Sequence, residues 1–335
     1  MDLLKDFYEV IDVLKDDQNG KVSVVYDKVG QQVCVAKRRD LKSAEMYYNL
    51  QKLKNKYVPK IYRLIEINET LLVIEEYIAG RTLAEILKYE NHFDESTAAD
   101  ILLQICNALK ILHEKNIIHR DIKPSNIMLT NDGEIKLIDF SIASILKIDN
   151  KNDTENLGTR GYAPPEQYGF APTDARSDIY SLGMTLQRLL GKNYRGYLQK
   201  IIKRCTKLDP MQRYLDIDSL IDDLEHRRWR KKLSQLKNQP ANNLQSTIDD
   251  QDVYDKLSEL IKLTEEIDAL EEDYNAVKSD DKIQAQCIMK GAERLAKEFE
   301  NIADSLNDAD FEEMAKAIIE YPVENLFDDH DDKNK

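Results

Sequence analysis

The chain is poor in the residues that build non-globular or covalently stapled proteins. Of its 335 residues only 11 are glycine and 8 are proline, which excludes collagen-like and low-complexity material. It has four cysteines, Cys34, Cys106, Cys205 and Cys287, far apart and with no CxxC pair. That excludes a cysteine zinc site and a disulfide scaffold, and it points to a reducing, cytoplasmic setting. No apolar run reaches 18 residues, so no membrane-spanning helix is expected. The opening MDLLKDFYEVIDVLKDD is acidic and lacks the basic start and small-residue cleavage site of a signal peptide. What the chain does have is 42% hydrophobic residues, enough for a sizeable core, and a length that suits two domains.

The net charge of −14 argues against nucleic acid as a main partner, but it is unevenly spread. Residues 1–225 are nearly neutral, at −3. Residues 226–237 (HRRWRKKLSQLK) carry six basic and no acidic side chains, and 238–335 carry −17. A boundary therefore belongs at 226–250, where the basic run gives way to the polar, Pro240-containing QPANNLQS and reads as a linker.

Within the first part, VSVVY, QVCVAK and LLVIEEYI are short β-rich runs separated by the turn segments DKVGQ and INET. From about residue 97 the period becomes helical, through Ala98, Ile101, Leu102, Ile105, Leu109 and Leu112, with Glu95–Ser96–Thr97 as the start signal. The densest chemistry lies in IIHRDIKPSNIML (117–129) and EIKLIDFS (134–141), joined by the hairpin signal NDG. A loop carrying Asp121, Lys123 and Asn126, followed by two small strands and Asp139, converges two carboxylates, an amide and a cation. That set suits phosphoryl transfer. Asp139 and Asn126 offer oxygens to Mg²⁺, Asp121 can accept a hydroxyl proton, and Lys123 can neutralise the moving phosphoryl group. The bland alternative is a solvated charged loop.

HRDIKPSN resembles the catalytic loop of the eukaryotic-like (Hanks-type) protein kinases in its Ser/Thr version, and DFS (139–141) resembles their metal-binding DFG with Ser in place of Gly. GTRGYAPPEQY (158–168), SDIYSLG (177–183) and LDPMQRY (208–214) follow in the family's order. The resemblance covers roughly 8–225 and implies an α+β, bilobal kinase fold. A β-rich N-lobe would occupy about 1–79 and a helical C-lobe about 80–225. It further implies ATP with Mg²⁺ (Mn²⁺ as an alternative) as cofactors, Ser/Thr-bearing proteins as substrates, and autophosphorylation. By the same resemblance Thr159 hydrogen-bonds Asp121 and Lys123, Glu166 pairs with Arg213, and Asp178 holds the backbone of the catalytic loop. Arg120 would dock a phosphorylated loop residue, with Thr154 the best candidate and an unmodified polar loop the alternative.

Upstream the match is looser. QVCVAKRRD (32–40) resembles the strand with the ATP-binding lysine, assigned to Lys37, with Arg38 or an exposed basic run as alternatives. The family pairs this lysine with a helix glutamate. Glu45 is the only acidic residue between 41 and 65, although the register read back from LQKLKNKYVPKIY lands on Met46, so a surface Glu45 with a reorganised ion pair stays open. The glycine-rich phosphate loop is reduced to LKDDQNGKV (14–22). Only Gly20 remains, and Asp16 and Asp17 would repel a triphosphate, partly offset by Lys15 and Lys21. By the same resemblance adenine would lie among Leu14, Val22, Val35 and Met128, with the hinge backbone at Glu76–Ile78. This erosion keeps a pseudokinase or scaffold as the second reading. A small-molecule kinase is a third, disfavoured by the peptide-docking GTRGYAPPEQ. The Lys-, Ile- and Asn-rich usage hints at a bacterial relative.

In the acidic tail, Val253, Leu257, Leu260, Ile267, Leu270, Tyr274 and Val277, then Ile288, Ala292, Leu295, Phe299, Ile302 and Leu306, fall at helical spacing. Residues 251–322 are expected to form an all-α hairpin or small bundle, with FEEMAKAII (311–319) a third helix, for dimerisation or partner docking. Residues 323–335 are expected to be a disordered tail.

Overall fold

The computed structural model describes residues 5–17, 20–53, 55–145, 158–168, 172–237 and 251–276, and parts of 290–302. The chain divides into two compact units, 1–224 and 225–335.

The first unit opens with a five-stranded antiparallel sheet: β1 (Tyr8–Asp17), β2 (Gly20–Asp27), β3 (Gln32–Asp40), β4 (Ile61–Ile67) and β5 (Thr70–Glu76), in the order β1-β2-β3-β5-β4. Its turns fall on DKVGQ and INET, where Gln31 and Asn68 adopt positive φ. β5 is apolar without alternation because both of its faces are covered. Leu72 and Ile74 pack with Tyr8, Val25, Cys34 and Ala36 on one side. Leu71 and Val73 pack on the other with Met46, Tyr47 and Leu50 of helix α1 (Ala44–Lys52). Side chains alternate along a strand, so the α1 face of β3 carries Val35, Lys37 and Arg39.

The second half of this unit is helical. α2 (Leu83–Tyr89) begins with a Thr82/Glu85 capping box, and α3 (Glu95–Glu114) is capped by Asp94, which accepts from the Thr97 N–H at 2.9 Å. The apolar stripe of α3, Ala98, Ile101, Leu102, Ile105, Leu109 and Leu112, is fully buried. It packs with α4 (Ala175–Leu190), α5 (Leu198–Cys205) and the first turns of α6 (Ile217–Lys237), through Leu182, Leu186, Ile201, Leu220 and Leu224. The short strand β6 (Gly80–Thr82) precedes α2, and between α3 and α4 lie β7 (Ile117–Ile118), β8 (Ile127–Thr130), β9 (Ile135–Leu137) and β10 (Ser144–Ile145), with β6, β8 and β9 forming one small sheet. The β8–β9 turn is closed by Gly133 at φ 80°, whose N–H reaches the Thr130 carbonyl at 3.1 Å.

The division at 224/225 lies next to the expected boundary, while the basic run 226–237, expected as the start of a linker, is helical and continues α6. Its lysines and arginines are good helix formers, and no Pro or Gly stands before Pro240 to stop the helix. In the second unit α7 (Gln251–Ala276) carries Leu263, which packs with Leu295, flanked by Leu270 and Ile302. The expected third helix and the 323–335 tail lie outside the described residues. Among the described residues no helix is long and apolar enough to cross a membrane.

Candidate active site

The loop between β7 and β8 is built around Asp121. Its Oδ1 accepts from Thr159 Oγ1 at 2.7 Å. Its Oδ2 accepts from Lys123 Nζ at 2.7 Å and from Asn126 Nδ2 at 2.7 Å. Lys123 Nζ also donates to Thr159 Oγ1 at 2.6 Å, which ties the 158–168 segment to the loop. Asn126 Nδ2 further reaches the Asp121 carbonyl at 3.0 Å.

The loop's backbone is held from α4. Asp178, fully buried, accepts from the N–H groups of His119 at 2.9 Å and Arg120 at 2.8 Å, and from His113 Nε2 at 2.8 Å. Thr185 Oγ1 donates to the Ile122 carbonyl at 3.2 Å, and Gln167 Nε2 to the Arg120 carbonyl at 2.8 Å. These bonds hold Arg120 at φ 65°, a left-handed conformation that a side-chain-bearing residue adopts only when its surroundings enforce it. The Arg120 guanidinium is buried and donates to Thr173 Oγ1. Its expected phosphate partner Thr154 lies outside the described residues. Burial keeps the His119 imidazole below the usual histidine range, so it is neutral at pH 7, with its ring 4.7 Å from that of Phe140.

Glu166 and Arg213 form a buried fork-to-fork pair, with Nη1 to Oε1 at 2.6 Å and Nη2 to Oε2 at 3.0 Å. Ser177 Oγ donates to Glu166 Oε1 at 3.0 Å.

Asp139 also sits at positive φ, 64°. Burial alone would raise its carboxyl. The cations of Lys37 and Arg39 and the hydroxyl of Ser141 outweigh that and hold it below the usual carboxylate range. Ser141, where the family has glycine, thus supplies a hydrogen bond to this carboxylate. Arg39 Nη2 lies 3.3 Å from Asp139 Oδ1. The donor set fits a divalent cation bound with nucleotide phosphates. Asp139 is anionic, and Asn126 spends its amide N–H groups on Asp121, leaving the amide oxygen as the atom it can offer.

Lys37 is on the face shared with Asp139, whereas Arg38 turns to the opposite, exposed side, with its Nη2 3.5 Å from Thr70 Oγ1. The expected Lys37–Glu45 pair is not what forms. Glu45 is exposed on the first turn of α1. Lys37 Nζ bonds Glu75 Oε1 at 2.6 Å, and both residues are buried. The side chain that α1 turns toward Arg39 is Tyr47, whose Oη accepts from Arg39 Nε at 3.2 Å. Glu75, Arg39 and Tyr47 escaped the sequence reading. The available signal was an acidic residue inside the apolar run LLVIEE, two places after the cross-strand neighbour of Lys37.

Of the expected nucleotide contacts, Val22, Val35 and Met128 are half-buried and Ile78 is buried, while Leu14 is 58% exposed. Glu76 at the hinge is anchored by Lys136 Nζ at 3.0 Å and the Lys60 N–H at 3.0 Å. Gly20 has φ 115°, and a Cβ there would collide with the Arg38 carbonyl, so this glycine is required by the close approach of the β1–β2 hairpin to β3. Lys21 Nζ lies 2.9 Å from Asp16 Oδ2, which neutralises one of the acids of this hairpin.

A protein kinase domain model matches residues 8–267. The chain is 30% identical over 205 residues to a probable serine/threonine-protein kinase of Clostridium acetobutylicum, covering 52% of this chain and 31% of that protein. It is 26% identical over 251 residues to another from Clostridium perfringens, covering 65% and 34%. To the serine/threonine-protein kinase PknB of Mycolicibacterium smegmatis it is 38% identical over 121 residues, 35% of this chain and 19% of that one. The chain thus spans about a fifth to a third of the length of these curated relatives. With the motifs, their geometry and this match in agreement, the chain belongs to the protein kinase family.

Proposed function

We propose that the chain is an ATP-dependent protein kinase that phosphorylates Ser or Thr hydroxyls of proteins, itself included. The observation that carries this reading is the Asp121 carboxylate, gripped at once by Lys123, Asn126 and Thr159. A carboxylate with both oxygens so oriented is placed to receive the proton of a substrate hydroxyl as its oxygen attacks the γ-phosphorus. The bond from that phosphorus to the β–γ bridging oxygen breaks, and ADP departs with the electron pair. Lys123 lies beside the same carboxylate and offsets charge on the transferring group. Lys37 binds the α and β phosphates, and Val22, Val35, Met128 and Ile78 enclose the adenine beside the Glu76–Ile78 backbone. Leu14 is an open edge of this pocket. Bound Mg²⁺, or Mn²⁺, held by Asp139 and Asn126, supplies neutralisation of the phosphate charge.

The 158–168 segment, tied to Lys123 through Thr159, would seat the substrate chain. Beside it a cleft of about 480 Å³ is lined by Tyr162, Met184, Gln187, Arg188 and Lys192. The second unit would serve partner docking, and the absence of an apolar spanning helix among the described residues is compatible with a cytoplasmic protein.

The test is transfer of radiolabelled phosphate from ATP·Mg to the protein itself and to a generic basic protein. Asp121→Asn should abolish both. No transfer by the unmodified chain would instead favour a binding-only module, and transfer that survives the substitution would refute Asp121 as the base.

A further inference from the structure

We propose that Glu75, on strand β5, is the positioning residue for Lys37, taking over the task that a carboxylate on helix α1 would otherwise perform. The inference rests on the ATP-binding role given to Lys37 above.

The register of the sheet makes the pair possible. Lys37 stands opposite Val73, and Glu75 opposite Val35. Lys37 and Glu75 are therefore diagonal neighbours on one face of two bonded strands, within reach of long side chains. Their Nζ–Oε1 distance is 2.6 Å, with 6% and 5% of the two residues exposed. An ammonium so buried must keep a carboxylate beside it. The charged and titratable groups around Lys37 are Glu75 from β5, Tyr47 from α1, Arg39 from its own strand, and Asp139. Burial alone would lower its affinity for a proton. Glu75, with the Asp139 carboxylate further off, reverses this, so Lys37 remains charged.

The helix has given up the task. Where α1 faces Lys37 and Arg39 it presents the phenol of Tyr47, which is neutral at pH 7 and 1% exposed, and burial raises its pKa further. Glu45 turns outward two residues before it. The lysine and its carboxylate thus both belong to one hydrogen-bonded sheet. The placement of Lys37 needs no particular position of α1, only the β3–β5 ladder.

The geometry also specifies a repair. A carboxylate at position 47 would arise from the side chain that already reaches Arg39 and neighbours Lys37. The experiment compares the full chain with Lys37→Met, Glu75→Gln, and the double variant Glu75→Gln/Tyr47→Glu. It measures the KM for ATP and kcat separately, and thermal unfolding of each protein. Glu75→Gln should lower kcat/KM for ATP by about 10- to 100-fold, as expected when a substrate-holding group is displaced by an ångström or so. The double variant should regain most of that loss, which a merely structural role for Glu75 would not allow.

If Lys37→Met abolishes transfer while Glu75→Gln leaves kcat/KM unchanged, the positioning role is overturned and the ATP role of Lys37 stands. A folded double variant as poor as Glu75→Gln overturns it as well. If Lys37→Met leaves ATP kinetics unchanged, the role of Lys37 fails and the inference falls with it. Should Glu75→Gln not fold alone, the double variant decides: restored folding with transfer supports the inference, and a folded, inactive protein refutes it.

Discussion

The Glu166–Arg213 pair allows a stability prediction with a definite asymmetry. Both side chains are buried, so removing either partner strands the other, at a typical cost of about 3–5 kcal/mol. The two are not equally dependent on each other. Without Glu166, the guanidinium keeps the carbonyls of Lys207 at 2.8 Å, Leu208 at 3.0 Å and Arg176 at 2.9 Å, as well as the Tyr180 ring 4.8 Å away. Glu166→Gln should therefore fall near the lower end, about 3 kcal/mol. Without Arg213, Glu166 keeps only the Ser177 hydroxyl among these partners, and three part-buried carbonyls lose a donor. Each such loss adds up to about 1 kcal/mol, so Arg213→Met should reach about 5 kcal/mol. For a unit of this size about 2–4 °C of Tm is lost per kcal/mol, which gives drops of roughly 6–12 °C and 10–20 °C. Circular dichroism melts at neutral pH, backed by urea titration, measure both. Two variants within about 1 kcal/mol of the unmodified protein, or the reverse order, would refute the reasoning.

Asp178 gives a pH prediction. Burial alone would raise its carboxyl, but the hydrogen bond from His113, the nearby imidazoles and the His119 N–H hold it below the ordinary value. A depressed folded pKa contributes stability that is complete above the unfolded value of about 3.9 and is lost as pH falls through the folded one. Asp178→Asn should lower stability at pH 7 and flatten its fall below pH 4; urea unfolding across pH 2.5–7 checks this, and an unchanged acid limb counts against it. Gly183 is a packing prediction. A Cβ there would collide with Cys205 Cβ and approach Thr206 Cγ2 at 3.0 Å, so Gly183→Ala should cost about 1–3 kcal/mol through the α4–α5 contact, and a stabilised variant in the same assay would contradict it.

Much of the site was legible because its residues are close in sequence. Asp121, Lys123 and Asn126 occupy six positions of one loop, and the NDG turn that returns the chain toward Asp139 is a local signal. The stripe of α3 was legible for a similar reason: period and caps are written in neighbouring residues. Even the long-range Glu166–Arg213 and Asp178 contacts could be expected, since the motifs that carry them stand in a recognisable order.

What the sequence by itself determined is the three-part charge pattern, the sheet-then-helix order and the residues of the phosphoryl-transfer loop. Only the tertiary structure decided which carboxylate holds Lys37. Spacing along the chain made Glu45 the sole acidic candidate in its stretch, but an ion pair forms between neighbours in space. The β3–β5 register sets Glu75 diagonal to Lys37 while the turn of α1 sends Glu45 to solvent and Tyr47 inward. Likewise Arg39 and Ser141 bear on Asp139 only because strand and loop meet. A buried charge takes whichever partner the packing brings within reach, and the packing is a property of the whole fold.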